Sequence, residues 1–511
     1  MSENTGKKIL SDDNEFLSHC LVEGTTLSIC NDMDAEKIVV PDGITVLGAG
    51  CFRNIFGLCE ITLPEGLLRI ESAAFEGCIN LEELYIPASV EYIGERAFRS
   101  TDIYKINVAE DNLHYKSIGG DLYTKDGSLL IRVSPRRKSK FYCVPEGTKH
   151  IAAFAFEECE DFRCITLPEG LLTIGEKAFY CCSDLRGINM PDSVTKIGTE
   201  VFGHCPSLAE VKLSEGLKYI PEFAFSLCIA LKNIKLPSGL RAIMSNAFWQ
   251  CEHLQSIEFP PSLVFLGCDA FIGCHELCGV YIGEGVTKLG VRGDGHFADV
   301  PVTVSENNPN YKSIDGNIYS KDGSVLVQYA SASEARSFTV PDTVSVIGRS
   351  AFGQAKNLVS IELPQGIEQI GALAFDGCER LSSLHLPDRV KNIGFNAFGN
   401  CISLKKMKLP SELEYIDFSA FYNCESLETV IFPKSVKYVG CWTFLMCESL
   451  ESVVFEDPKD WYWGEGFSGF DDSENAKANQ AAELDDPERN VSLMTEEYEN
   501  FNLHKRTNNT N

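Results

Sequence analysis

The sequence predicts a β-rich repeat solenoid, and three observations carry that prediction. Phenylalanine recurs every 23 residues along most of the chain. A short apolar alternation, a proline and a cysteine travel with it at constant offsets. The period also fails twice, and the two failures match each other 196 residues apart. A fixed period of this size means one small unit stacked on copies of itself, since an ordinary core has no reason to keep register.

The series runs Phe52, Phe75, Phe98, then Phe156, Phe179, Phe202, Phe225, Phe248, Phe271, then Phe352, Phe375, Phe398, Phe421 and Phe444. Phe297 is displaced from the grid, and counting it gives about fifteen coils. Each unit opens on a strand with one buried face, as in Leu231, Ile234 and Leu236. Proline follows in Pro64, Pro168, Pro237 and Pro387; without an N–H it ends the strand and turns the chain. A second apolar pair, such as Val390 and Ile393, forms the return side. Glycine at 94, 175, 198, 348, 371 and 394 is then expected at positive φ. An Ala-Phe step closes the coil, with Phe at its centre. One coil of this length cannot bury both its faces, so each needs a neighbour above and below.

The L-P, I-G and A-F-x-x-C columns resemble the BspA-like leucine-rich repeat class, the type named after Treponema pallidum. The resemblance spans about residues 25 to 456. It implies a right-handed leucine-rich-repeat coil, and known members are mostly surface adhesins and binders of host proteins. It implies no shared catalytic residues and no cofactor.

The two breaks fall at residues 106 to 133 and 302 to 330. Tyr115 matches Tyr311, Tyr123 matches Tyr319, and Asp126-Gly127 matches Asp322-Gly323. The Asp-Gly pairs between apolar runs read as tight hairpin turns. Each insert is therefore a hairpin module in the solenoid, serving either as a spacer or as a projecting recognition surface. The basic run Arg136, Arg137, Lys138 and Lys140 follows the first insert and reads as a solvated loop, or as a dock for an acidic partner.

Both ends of the stack must be hidden from water. Residues 1–24 read as a lead, and a degenerate coil with Leu27, Ile29 and Val39 follows it. Residues 457–511 read as an aromatic cap, carrying Trp461, Tyr462 and Trp463, followed by an acidic tail. Beyond about residue 471, low hydrophobicity and negative charge predict partial disorder.

Net charge is −28, of which −9 lies in residues 456 to 511. That balance argues against nucleic acid and anionic membrane faces as partners. No apolar run is long enough to span a membrane, and the first residues lack the apolar core of a secretory signal. Eleven of the 21 cysteines occupy the closing column: 78, 159, 182, 205, 228, 251, 274, 378, 401, 424 and 447. Side chains stacked in parallel do not face each other, so the column reads as reduced, space-filling thiols. A serine there would bury a hydroxyl without a partner. The thiols favour a cytoplasmic location; the alternative is the cell surface, or secretion by a non-classical route.

Motifs for nucleophilic, metal-dependent or phosphate-binding chemistry are missing, and no C-x-x-C pair offers a zinc site. The chain thus reads as a non-enzymatic protein–protein interaction scaffold that holds no metal or cofactor and is a monomer. The alternative is an adhesin that binds host or matrix proteins. The outward strand positions supply the candidate partner surface: Tyr85, Lys212, Lys235, Tyr281, His385, Lys405 and Lys408. Arg292, Gly293 and Asp294 form an Arg-Gly-Asp tripeptide where the repeat slips register. It reads as a consequence of that slip, or as an adhesive loop.

Overall fold

A computed structural model describes residues 9–10, 18–135, 139–290, 297, 300–331, 334–464, 481–482, 484–497 and 502–505. The chain is a β-solenoid of about 18 turns. Three turns exceed the sequence-based count: one at the start, Thr26–Cys30, and one in each insert, Leu129–Arg132 and Val325–Gln328. All three carry a return strand but lack the central Phe.

Two compact units divide the chain, Met1–Leu263 with Gly273–Leu277, and Val264–Ile272 with Cys278–Asn511. In the first, Phe141–Cys143, Cys164–Thr166, Gly187–Asn189 and Glu210–Lys212 form a parallel ladder in strict register. Their burial alternates, with Ile165 and Ile188 inward and Thr166 and Asn189 outward. After the first three strands a proline carbonyl accepts the N–H three residues on, as Pro168 does from Leu171, and after the fourth the Ser214 carbonyl accepts from Leu217; this turns the corner. Return strands Leu129–Arg132, His150–Ile151, Thr173–Ile174 and Lys196–Ile197 make the opposite ladder. The second unit repeats this with Ser337–Thr339, Ser360–Glu362, Ser383–Leu384, Lys406–Lys408, Thr429–Phe432 and Ser452–Phe455.

A third ladder runs through the Phe turns. The residues two before and two after Phe75 are Ala73 and Gly77, both left-handed (φ 57° and 76°). The same holds around Phe179, at Lys177 and Cys181, and around Phe421, at Ser419 and Asn423. Alternating right- and left-handed residues aim every second N–H toward the next coil. Ala73, Phe75 and Gly77 accordingly donate to the carbonyls of Glu95, Ala97 and Arg99. The Phe rings stack behind this ladder, 4.8 to 5.9 Å apart in the first unit.

The glycine column departs from expectation. Gly198 and Gly394 are not at positive φ. A Cβ on Gly394 would lie 2.5 Å from the backbone N of Ala372, and one on Gly198 would clash with the N of Glu176. Close approach to the preceding coil, not backbone handedness, demands glycine here.

Each insert is a three-stranded meander whose last strand is a solenoid strand. Tyr115–Ile118 pairs with Asp121–Thr124, which pairs with Leu129–Arg132, and the second insert repeats the pattern. Asn112 and Asn308 anchor them, each donating to two carbonyls of the coil before. Tyr115 and Tyr311 hydroxyls accept the N–H groups of Ile93 and Leu289. With Leu122, Tyr123 and Leu130 buried, the insert is built into the stack rather than projecting from it.

At the front, Cys20–Glu23 pairs antiparallel with Thr26–Cys30, so paired structure begins inside the lead expected at 1–24. At the back, Asn502–Lys505 crosses antiparallel to Tyr438–Val439 and to Trp461–Gly464. Reversed strands end the parallel ladders and bury Trp461 and Trp463. The disorder expected past residue 471 does not describe Pro487–Ser492. That segment is a helix capped by Asp486, and its buried Asn490 donates to the Val453 carbonyl. A polar side chain spent on the last coil offsets an ordering entropy that composition alone could not.

Candidate partner surface

The outward positions of the strand ladder stand on rigid, hydrogen-bonded backbone. Tyr85, on Glu83–Ile86, is 49% exposed and pairs in register with Asn107. Lys212 lies between Asn189 and Lys235, bridged to both by parallel pairing. Both lysines are exposed, and neither forms an ion pair among the described residues. Two like charges directly opposite each other destabilise a sheet unless something neutralises them. Small residues beside Lys212, chiefly Gly187, Thr166 and Ser193, leave a groove of about 720 Å³ whose wall mixes Arg163 and Arg186 with Glu169, Asp192 and Glu210.

In the second unit, Tyr281 is 60% exposed on Val280–Ile282. His385, Lys405 and Lys408 are exposed on adjacent turns, and Lys408 pairs in register with exposed Ile431. The seven candidates therefore fall into two groups, Tyr85, Lys212 and Lys235 in one unit and Tyr281, His385, Lys405 and Lys408 in the other. Sequence reasoning missed Phe141, 71% exposed on the same outward face. It stands two residues before the outward position read in the other strands, which Cys143 fills here. Arg292, Gly293 and Asp294, and the basic run at 136 to 138, lie outside the described residues.

The closing cysteines do more than fill space. Sγ of Cys78, Cys205 and Cys251 donates to the carbonyl of the Phe 26 residues earlier, each at 3.0 Å. Cys182, Cys228, Cys274, Cys378, Cys401, Cys424 and Cys447 repeat the bond at 3.1 to 3.2 Å. Burial pushes the Cys78 and Cys274 thiols up to about 12, so they stay protonated donors. Among the described residues no cluster of His, Cys, Asp or Glu could hold a metal, and no helix is long and apolar enough to cross a membrane.

The sequence matches the model of the BspA type leucine rich repeat region over residues 28–129, 140–223, 195–322 and 328–457. Among solved structures, the chain is similar to a leucine rich cell surface protein from Faecalibacterium prausnitzii, at 24% identity and a TM-score of 0.55. That match covers 73% of this chain and 100% of the other. A leucine-rich repeat protein from Eubacterium ventriosum matches at 21% identity and a TM-score of 0.41, covering 53% and 81%. The pneumococcal vaccine antigen PcpA matches at 17% identity and a TM-score of 0.39, covering 85% and 84%. A comparison with curated proteins returned no match.

Proposed function

Since the chain belongs to the BspA-type leucine-rich repeat family, we propose that it is a non-enzymatic binding protein that docks a protein partner on its outward strand face. One observation carries this reading: Lys212 and Lys235 stand exposed and in register, with neither in an ion pair among the described residues, beside a groove whose wall carries Arg163 and Arg186 together with Glu169, Asp192 and Glu210. A partner with an acidic segment would neutralise a pair that costs the free sheet stability. The frame is common to the fold, so specificity rests on these side chains.

For location, the cell surface is the better reading. The fold-matched F. prausnitzii protein is a leucine rich cell surface protein. The thiol column does not oppose this, because buried, protonated thiols bonded to carbonyls need no reducing compartment to remain thiols. Added protease should release fragments from intact cells; full protection in intact cells with cleavage in lysates would return the protein to the cytoplasm.

The binding face is tested by placing a photo-crosslinker at Asn189, beside Lys212, and another at Lys196 on the return ladder. The Asn189 probe should capture a partner that the Lys196 probe does not, and Lys212→Glu with Lys235→Glu should abolish the capture. Capture from Lys196, or indifference to the charge reversal, would place the partner elsewhere.

A further inference from the structure

The first insert breaks the Phe-turn ladder, and the break leaves donors without acceptors. In the turns of Phe52, Phe75, Phe156, Phe179, Phe202, Phe225, Phe352, Phe375, Phe398 and Phe421 the N–H groups two before, at, and two after the Phe reach the next coil, as Ala73, Phe75 and Gly77 do. After Phe98 the next coil is the hairpin. Among the described residues the N–H groups of Arg96, Phe98 and Ser100 therefore have no acceptor. Arg96 and Ser100 are left-handed, at φ 61° and 49°, so the peptide units keep the alternation that aims N–H groups to one side. The intervening N–H groups of Ala97 and Arg99 donate to the carbonyls of Gly94 and Arg96, so the alternate ones form a row of backbone donors that an anion can accept from.

On that side lies a cavity of about 380 Å³, between the Phe98 turn and the turn of the next coil. Arg96, Phe98, Arg99 and Arg132 line it, and Glu95 is the one carboxylate residue on its wall. Arg132 is 3% exposed. Its Nη1 donates to the carbonyls of Phe154 and Glu157 and its Nη2 to that of Thr101, while its Nε is buried without a partner. Glu157 and Glu76 hold Arg99, and Glu176 holds Arg96, at the rim. The rest of the wall is apolar, chiefly Ile93, Leu129, Ile151 and Phe154.

This charge is not what the hairpin needs in order to fold. In the second insert, 196 residues on, the positions of Arg132, His150 and Glu157 hold Gln328, Val346 and Gly353, and the same three-stranded meander forms. Buried Glu157 offsets part of the Arg132 charge, but the unused Nε–H still costs stability unless a ligand supplies an acceptor.

We propose that this cavity binds a small organic anion, an apolar body bearing one carboxylate or phosphate group, whose oxygens accept from the N–H groups of Arg96 and Phe98 and from Nε–H of Arg132. The apolar body would lie on Ile93, Leu129 and Ile151. The site is distinct from the outward strand face and does not depend on it.

Calorimetric titration of the full chain with phenylacetate, phenyl phosphate and neutral phenylacetamide tests the assignment. At least one anion should bind and the amide should not; which anion binds identifies the head group. Arg132→Gln, which installs the residue of the second insert, should weaken binding at least tenfold, with folding checked by circular dichroism. If that variant does not fold, Ile93→Glu, which sets a carboxylate where the apolar body of the anion would lie, takes its place with the same expectation. No binding of either anion overturns the proposal, as does an amide that binds equally well or a folded variant that binds like the parent.

Discussion

Sγ of Cys251 donates to the carbonyl of Phe225 in the coil before, at 3.0 Å. The same carbonyl accepts the backbone N–H of Cys228 at 3.1 Å, so the thiol takes its second lone pair. Every closing cysteine that follows a coil with a central Phe thereby ties the centre of that coil to the end of the next. The column is a hydrogen-bonded seam as well as packing.

That geometry reverses an expectation for substitution. Cys251→Ala removes a sulfur and a donor, and should cost about 1–2 kcal/mol. Cys251→Ser keeps a donor within reach of the Phe225 carbonyl and should cost less than Ala, by about 0.5 kcal/mol. Urea unfolding of the two variants checks the order. A serine that is worse than alanine would mean that the thiol contributes only its volume.

The seam also sets a pH dependence. Burial first, and neighbouring thiols second, raise Cys228 and Cys251 well above the ordinary value of 9.0. A group whose folded pKa is raised contributes stability that is complete below its unfolded pKa and is lost as pH climbs toward the folded value. Stability should therefore fall above pH 9.0, through the value of about 12 reached by Cys78 and Cys274. Each buried thiol adds a slope of up to about 1.4 kcal/mol per pH unit in that window. Urea midpoints measured on both sides of pH 9.0 should show the fall. Replacing Cys228 and Cys251 together by Ala should make it shallower; an unchanged slope would assign the alkaline loss to other groups.

Glycine supplies a paired test. Gly198→Ala would drive a Cβ into the backbone N of Glu176, and a packed coil cannot retreat without losing its ladders. The expected cost is about 3 kcal/mol. Gly66 has open space around it and no positive φ, so Gly66→Ala should be neutral or stabilising by about 0.4–1 kcal/mol. Differential scanning calorimetry separates the two. Equal effects would mean that the glycine column is kept for some reason other than close approach.

What the sequence disclosed followed from how local each signal was. The Phe column and the Asp126-Gly127 turn were legible because one residue type answers one need, a filled centre or a tight reversal. Tyr85, Lys212 and Lys235 were placed outward correctly because strand alternation alone decides which face a residue takes. The left-handed positions were not legible. Leu373, Lys177 and Glu158 share no chemistry, and only the neighbouring coil's carbonyls hold them there. Glycine misled because its two uses, positive φ and close approach, read alike in sequence. The cavity beside Arg132 was hidden for a deeper reason. It is defined by a Phe turn that the insert omits, and an omission has no residue to mark it.

The left-handed columns yield the last prediction. Met446, two residues after Phe444, holds φ 63° and is 54% exposed, so its side chain has little packing to lose. The same column carries Gly at 77, 273 and 377 and Asn at 54, 400 and 423, residues for which this conformation is cheap. A side chain with a Cβ spends roughly 1 kcal/mol to sit there. Met446→Gly should therefore stabilise the second unit by about 0.5–1 kcal/mol despite glycine's larger unfolded-state entropy. Met446→Val, branched at Cβ, should destabilise it by about 1 kcal/mol or more. Thermal unfolding of the pair gives opposite signs if the left-handed turn persists in solution. If both variants lower the midpoint, the thioether is packing against the cap more than its exposure indicates, and backbone handedness is not the controlling term at this position.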